Sequence, residues 1–237
     1  ASTSSTLGSI VELATLLGKG VYGFPEAARL ARIDVNNARR WFLGRRDYPA
    51  SGPVLRSDVP SVRGKHAISF LDLVDLLVVG RFREHGVPMQ TVRKVYGRLR
   101  ERLGSAHPFS HYKLKSDGRT VFLEVVDDLG DRQLEEVLSG QAAMPRVLDR
   151  YLKDIEYGRR TQIAERWNVS PGVVIDPTKN FGKPTAVEAG ASTFVLARAF
   201  HANGQNAELV ADLFATSPQA VLDAVEFEER IGNIRAA

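Results

Sequence analysis

Hydrophobic positions recur at helical spacing in several blocks along the chain. In residues 9–18, Ile10, Leu13, Leu16 and Leu17 share one face and Gly18 ends the run, which predicts a short amphipathic helix followed by a loop to Gly23. Pro25 suits the first turn of a second helix, because its missing N–H would have had no partner there. That helix continues to Ala31, and Arg32 and Ile33 make a tight turn. Asp34 is placed to cap a further helix over about 35–43, with Gly44 as its stop. Two short helices joined by about three residues have the size of a helix-turn-helix.

Residues 45–66 hold Pro49, Gly52, Pro53, Pro60 and Gly64 and are too broken for a helix. They fit either a linker or a short hairpin with Val54, Leu55 and Val62 as strand residues. Ile68, Leu71, Val74, Leu77, Val78 and Phe82 then mark a strong helix ending near Gly86. Pro88 opens the next, with Val92, Val95, Tyr96, Leu99 and Leu103 on one face and Arg93, Lys94, Arg98, Arg100 and Arg102 on the other.

The pattern changes after Ser105. His111–Lys115 and Thr120–Val126 read as two strands joined by a hairpin turn at Asp117-Gly118. Leu134, Val137 and Leu138 suggest a short helix or a further strand, and Val147–Tyr157 fits either. Trp167 and Val173–Ile175 lead into a turn at Asp176-Pro177. Thr193–Asn203, Ala207–Phe214 and Pro218–Ile231 predict three closing helices, the last capped by Ser217. The fold class is mainly α with a small β element. The expected division is 1–104, an α+β middle segment 105–170, and a helical part 171–237.

Composition adds bounds. With 43% hydrophobic and 25% charged residues, the chain can bury an ordinary globular core. The most apolar stretch, Leu73–Gly80, contains Asp75 and runs straight into Arg81 and Arg83, far short of a membrane span. Ala1–Gly8 is small and polar, without the order of a secretory signal. There are no cysteines, so neither disulfides nor thiolate metal sites arise. These features lead us to expect a soluble, cytoplasmic protein. Charge is uneven. Residues 1–105 carry 17 Lys and Arg against 9 Asp and Glu, and the remainder 15 against 19. A basic front half suits a polyanionic partner, since phosphate contacts supply most non-specific DNA affinity.

Asp34–Arg46 carries the most specific chemistry. Asn36, Asn37, Arg39 and Arg40 occupy the start and middle of the second helix of the pair. Asn can bond adenine and Arg guanine bidentately in the major groove, and a recognition helix uses its N-terminal residues for this. Helical spacing puts Ala38 and Trp41 on a packing face, with Asn36, Asn37 and Arg40 on another. Arg39, Arg45 and Arg46 are better placed to hold phosphates. The bland alternative is a polar surface helix with a core tryptophan.

Tyr22, Glu26-Ala27-Ala28-Arg29-Leu30, Asp34 and Arg39-Arg40-Trp41, followed by Ile68–Glu101 with its Gly86-Val87 turn, resemble the front of MerR-like winged-helix regulators. The resemblance covers roughly residues 21–103 and implies that Arg63 and Lys65 belong to a wing touching phosphate. It departs from that family in a long, proline-rich wing and in lacking a long dimerising helix after Leu103. Asp176-Pro177, Phe181-Gly182-Lys183-Pro184, Gly190-Ala191-Ser192-Thr193, Asn203-Gly204 and Val221-Leu222-Asp223-Ala224 are similar to the small domain family catalogued as DUF433. The two parts together resemble VapB-type antitoxins of the large, VapB45-like kind. That resemblance implies a type II toxin-antitoxin module, a PIN-domain ribonuclease toxin as partner, binding of double-stranded operator DNA, transcriptional repression and a homodimer.

Other chemistry is thin. His66, His85, His107, His111 and His201 lack the spacing of a helical metal site and read as surface or loop histidines. Asp127-Asp128 and Lys183 read as solvated. There is no P-loop, GxGxxG or GxSxG motif. We therefore expect no enzyme, cofactor or metal. The competing readings are a stand-alone MerR-like regulator and an interaction module without DNA binding.

Overall fold

The computed structural model of the chain describes residues 18–44, 52–61, 64–116, 125 and 151–232. The expected helix at 9–18, the Asp117-Gly118 turn, all of Thr120–Val126 but Val125, the segment around Leu134–Leu138, Asp127-Asp128, and Val62, Arg45, Arg46 and Arg63 lie outside them. The described residues are mainly α, with two small antiparallel sheets. The chain forms two compact units, one from residues 1–23, 59–70 and 166–237, the other from 24–58 and 71–165.

The second unit is helical. Helix α1 (Phe24–Ala31) and helix α2 (Val35–Leu43) are joined by Arg32–Asp34. Asp34 caps α2, its Oδ1 accepting from the N–H groups of Asn36 and Asn37, both at 3.0 Å. Gly44 ends it at φ 78, a backbone state that favours glycine. The segment 52–55 is neither a free linker nor a hairpin. The N–H groups of Val54 and Leu55 both donate to the Trp41 carbonyl at the end of α2, and both side chains are buried. Helix α3 (Phe70–Glu84) is buried along most of its length, including Leu73, Val74, Leu76, Leu77, Val78 and Val79. Helix α4 (Met89–Leu103) is one-sided, burying Val92, Val95, Tyr96 and Leu99. Phe109 closes this core, edge-on to both Phe82 and Tyr96.

His111–Lys115 is not a strand. Only His111 bridges, to Ile163, and the chain is helical from Tyr112. The cause is local: the N–H of Leu114 returns to the His111 carbonyl, and that of Lys113 to the His111 ring. Val147–Tyr157 resolves at its end into strand β3 (Ile155–Tyr157).

In the first unit, Ile68 does not start α3. It lies in the two-residue strand β2 (Ala67–Ile68), paired with β1 (Tyr22–Gly23) where a loop was expected. Strand β4 (Ala164–Ser170) runs into this unit and pairs with β5 (Val173–Ile175), which pairs with β6 (Thr185–Ala186). Helices α5 (Thr193–Ala202), α6 (Ala207–Phe214) and α7 (Pro218–Arg230) match the three expected ones. Ser217 caps α7 by accepting from Ala220, and Asn206 caps α6 through Leu209. Leu196, Ala197, Phe200, Val210, Ala211, Val221 and Ala224 form their common core. Lys183 is not simply solvated, for its ammonium lies 5.7 Å from the centre of the Tyr22 ring. Glu228 is buried and accepts from the Thr193 hydroxyl.

Candidate nucleic-acid interface

Packing of its inner face and a clamp on the turn before it fix α2. Its inner face, Ala38, Trp41 and Phe42, is buried, and Phe42 stacks obliquely on Phe24 of α1 at 5.8 Å. The turn between the helices is clamped from α3. Arg81, itself buried, donates from Nη2 to the last carbonyl of α1, Ala31, at 2.6 Å, and from Nη1 to the Glu84 carboxylate. Tyr151 packs on the same guanidinium, 4.6 Å from its ring centre. Ile33 sits so close to Gly80 that a Cβ there would lie 2.5 Å from Ile33 Cδ1. The turn therefore has little freedom, and neither does the helix that follows it.

The outer face of α2 holds the expected residues. Asn36, Arg39 and Arg40 are exposed and Asn37 is half-buried. The Arg40 guanidinium donates to the Asn37 side-chain oxygen. Arg40 is thus already held on α2 through the oxygen of the Asn37 amide. Beside this face opens a cavity of about 590 Å³, lined by Asn37, Arg40 and Trp41 and also by Arg32, Arg83 and Arg93. None of these last three arginines was expected in the site: Arg32 belongs to the turn before α2, and only the packing of α3 and α4 beside α2 brings Arg83 and Arg93 there. Lys65 is exposed in the first unit, and its carbonyl accepts from the Ser61 hydroxyl.

A second polar group lies inside the helical unit. Asp72 and Asp75 of α3 are buried, as is His107 after α4, so His107 is not a surface histidine. Its Nδ1 is 3.3 Å from Asp75 Oδ2 and 3.5 Å from Asp72 Oδ1, and its Nε2 is 3.9 Å from Asp58. Tyr96 and Ser110 donate to Asp75, and Ser57 to Asp72. Burial, and then the charge of Asp75, push the Tyr96 phenol pKa up, so it remains a donor. The sequence signal was available: two acids three residues apart within the otherwise apolar run 70–80 of α3. The group joins α3, α4 and the segments at 57–58 and 107–110 into one scaffold behind α2.

The chain resembles known proteins along most of its length. It is 26% identical over 223 residues to the protein named "Putative antitoxin VapB45" from Mycobacterium tuberculosis, covering 87% of this chain and 92% of that one. It is 23% identical over 235 residues to a second protein of the same organism, named "Uncharacterized protein Rv2308", covering 93% and 94%. The fold is similar to the crystal structure of Rv2018 from Mycobacterium tuberculosis, with a TM-score of 0.68 and 22% identity over 86% of this chain and 96% of that one. No family model matches the chain. Among the described residues, no helix is long and apolar enough to cross a membrane.

Proposed function

We propose that this chain is the antitoxin of a type II toxin-antitoxin module, a binding protein rather than an enzyme, which represses its own operon. The observation that carries the reading is the similarity to VapB45 over nine-tenths of that protein, taken with the exposed Asn36, Arg39 and Arg40 and the half-buried Asn37 on a capped and clamped α2. In this reading α1 and α2 are a helix-turn-helix of the MerR-like winged kind, and α5–α7 belong to a DUF433-like domain. Arg40 and the two asparagines read base edges, and Arg39 holds phosphate, together with Arg45, Arg46, Arg63 and Lys65. A homodimer would set two copies of α2 roughly 34 Å apart on a palindromic operator.

The toxin partner is a PIN-domain ribonuclease. The α6–α7 region supports a partner of basic character. Its exposed Glu208, Asp212 and Glu226 and its half-buried Asp223 and Glu229 face a single arginine, Arg230, and Leu209, Leu213 and Leu222 stand exposed among them. A nuclease that holds RNA needs a basic surface of its own.

The deciding experiment is a gel-shift against DNA upstream of the chain's own gene, with salt and competitor titrations, repeated with the product of the adjacent gene. Selective binding that falls steeply with salt, and co-purification of a nuclease whose activity the chain blocks, is the expected result. Selective DNA binding without any nuclease partner identifies a stand-alone regulator. Absence of selective binding under both conditions overturns the repressor reading.

A further inference from the structure

The cavity beside α2 is lined by charge drawn from four separate places: Arg32 in the turn, Arg40 on α2, Arg83 at the end of α3 and Arg93 on α4. Two acids also line it, and both are engaged elsewhere. Asp34 caps α2, and Glu84 accepts from Arg81. The lining therefore carries an excess of two positive charges whose opposing carboxylates are already occupied. Three of the arginines are braced by one fixed acceptor each: Arg40 by Asn37, Arg83 by the Val87 carbonyl, and Arg93 by the Gly52 carbonyl at 2.7 Å. Each bracing bond uses one of five N–H donors and leaves others for a ligand. The Arg93 Nε, buried from solvent, has no hydrogen-bond partner among the described residues. Guanidinium forks match the oxygens of phosphate and carboxylate groups, and several forks held in place lose little freedom on binding. A phosphate monoester carries roughly 1.5 to 2 negative charges near pH 7, which balances the excess. A volume of about 590 Å³ exceeds a phosphate alone and falls in the range of small organic ligands.

We propose that this cavity is a phosphate-binding site, filled either by a small phosphorylated ligand or by a backbone phosphate of bound DNA. Asn37 and Arg40 belong both to its wall and to the outer face of α2. A free phosphorylated ligand would therefore compete with DNA for Arg40. The competition rests on the DNA-binding reading; the binding of phosphate does not.

The test uses inorganic phosphate and pyrophosphate, titrated calorimetrically into the full chain at constant ionic strength. It is followed in parallel by Trp41 emission in a Trp167→Phe background. Variants are Arg83→Gln and Arg32→Gly, both at exposed positions, with Arg98→Gln on α4, outside the lining, as control. The folded state of each is checked by thermal melting. Saturable binding, weakened tenfold or more by Arg83→Gln and Arg32→Gly but not by Arg98→Gln, supports the site with a free ligand. No binding of free phosphate, with Arg83→Gln lowering the salt slope of DNA binding by about one, assigns the site to backbone phosphate. Saturable phosphate binding by a chain that binds no DNA keeps the site and removes the repressor reading. No saturation in the folded variants and wild type, and an unchanged salt slope, overturns the proposal.

Discussion

The imidazole of His107 lies 3.3 Å from the carboxylate of Asp75, 32 residues earlier, in the interior of the helical unit. Asp75 sits mid-way along α3 and also receives hydrogen bonds from Tyr96 at 2.9 Å and Ser110 at 3.2 Å. One carboxylate thus fixes three donors that lie between residues 96 and 110. Burying that charge without such partners would be very costly. With them it sets the register of α4 on α3, and so the frame against which α2 rests.

Stability should fall as pH rises, through this pair. Burial lowers the His107 pKa, but its hydrogen bond to Asp75 and the charges of Asp75, Asp72 and Asp58 outweigh this and hold it above the ordinary 6.5. Burial holds the Asp75 carboxyl above 3.8, against the pull of its three donors. Each group therefore binds its proton more tightly in the folded chain than in the unfolded one. The Asp75 contribution is complete below about pH 3.8 and declines above it. That of His107 is complete below about pH 6.5 and is lost as pH rises through its folded value. Urea midpoints between about pH 5 and pH 9 should drop more steeply with pH above about 6.5 in the wild type than in His107→Gln. Parallel profiles would refute the linkage.

Much of this frame was legible before the structure. The caps at Asp34 and Ser217, the two helices after residue 68, and α5–α7 all follow from local rules whose partners lie within a turn. His107 was not legible, because its neighbours are 32 and 35 residues away in sequence. His111–Lys115 failed for the opposite reason. Its alternation of Tyr112 and Leu114 mimics a strand, yet a single helical turn buries Leu114 as well. On α2 the pattern indicated which side chains face out. It could not indicate that Arg83 and Arg93 would stand beside them, since that depends on tertiary packing.

Tyr22 should be worth more than its size suggests. Its hydroxyl donates to the Gly182 carbonyl at 2.7 Å across 160 residues, and the side chain is fully buried. Tyr22→Phe leaves that carbonyl without its donor, at a cost of about 1–3 kcal/mol. Gly182→Ala should cost more. Gly182 has φ 78, and an added Cβ would sit 2.8 Å from the Gly20 Cα, where backbone rather than a flexible side chain must yield. Chemical denaturation of the two variants gives the order, and a Gly182→Ala variant as stable as the Tyr22→Phe variant would contradict it.

Gly80 should not tolerate a methyl group while Ile33 is present. Its added Cβ would meet Ile33 Cδ1 at 2.5 Å and Cγ1 at 2.8 Å. Overpacking of this kind typically costs about 1–3 kcal/mol. Ile33→Val removes the nearer atom, so the double variant Gly80→Ala, Ile33→Val should recover part of the loss. A double-mutant cycle measures the coupling directly. Additive losses would mean that the turn between α1 and α2 is not held by this contact.

Arg40 and Arg39 stand next to each other on α2, both exposed, yet they should fail differently. Arg40 is held by Asn37 on the face proposed to meet bases. Arg40→Ala should therefore weaken the chosen operator by about 1–3 kcal/mol more than it weakens random DNA. Arg39 is assigned to phosphate. Arg39→Gln should weaken operator and random DNA alike and lower the salt slope by about one. Competition binding at several salt concentrations separates the two effects. Equal losses on both DNAs for Arg40→Ala would take base reading away from this helix face, and unchanged operator affinity would remove α2 from the interface altogether.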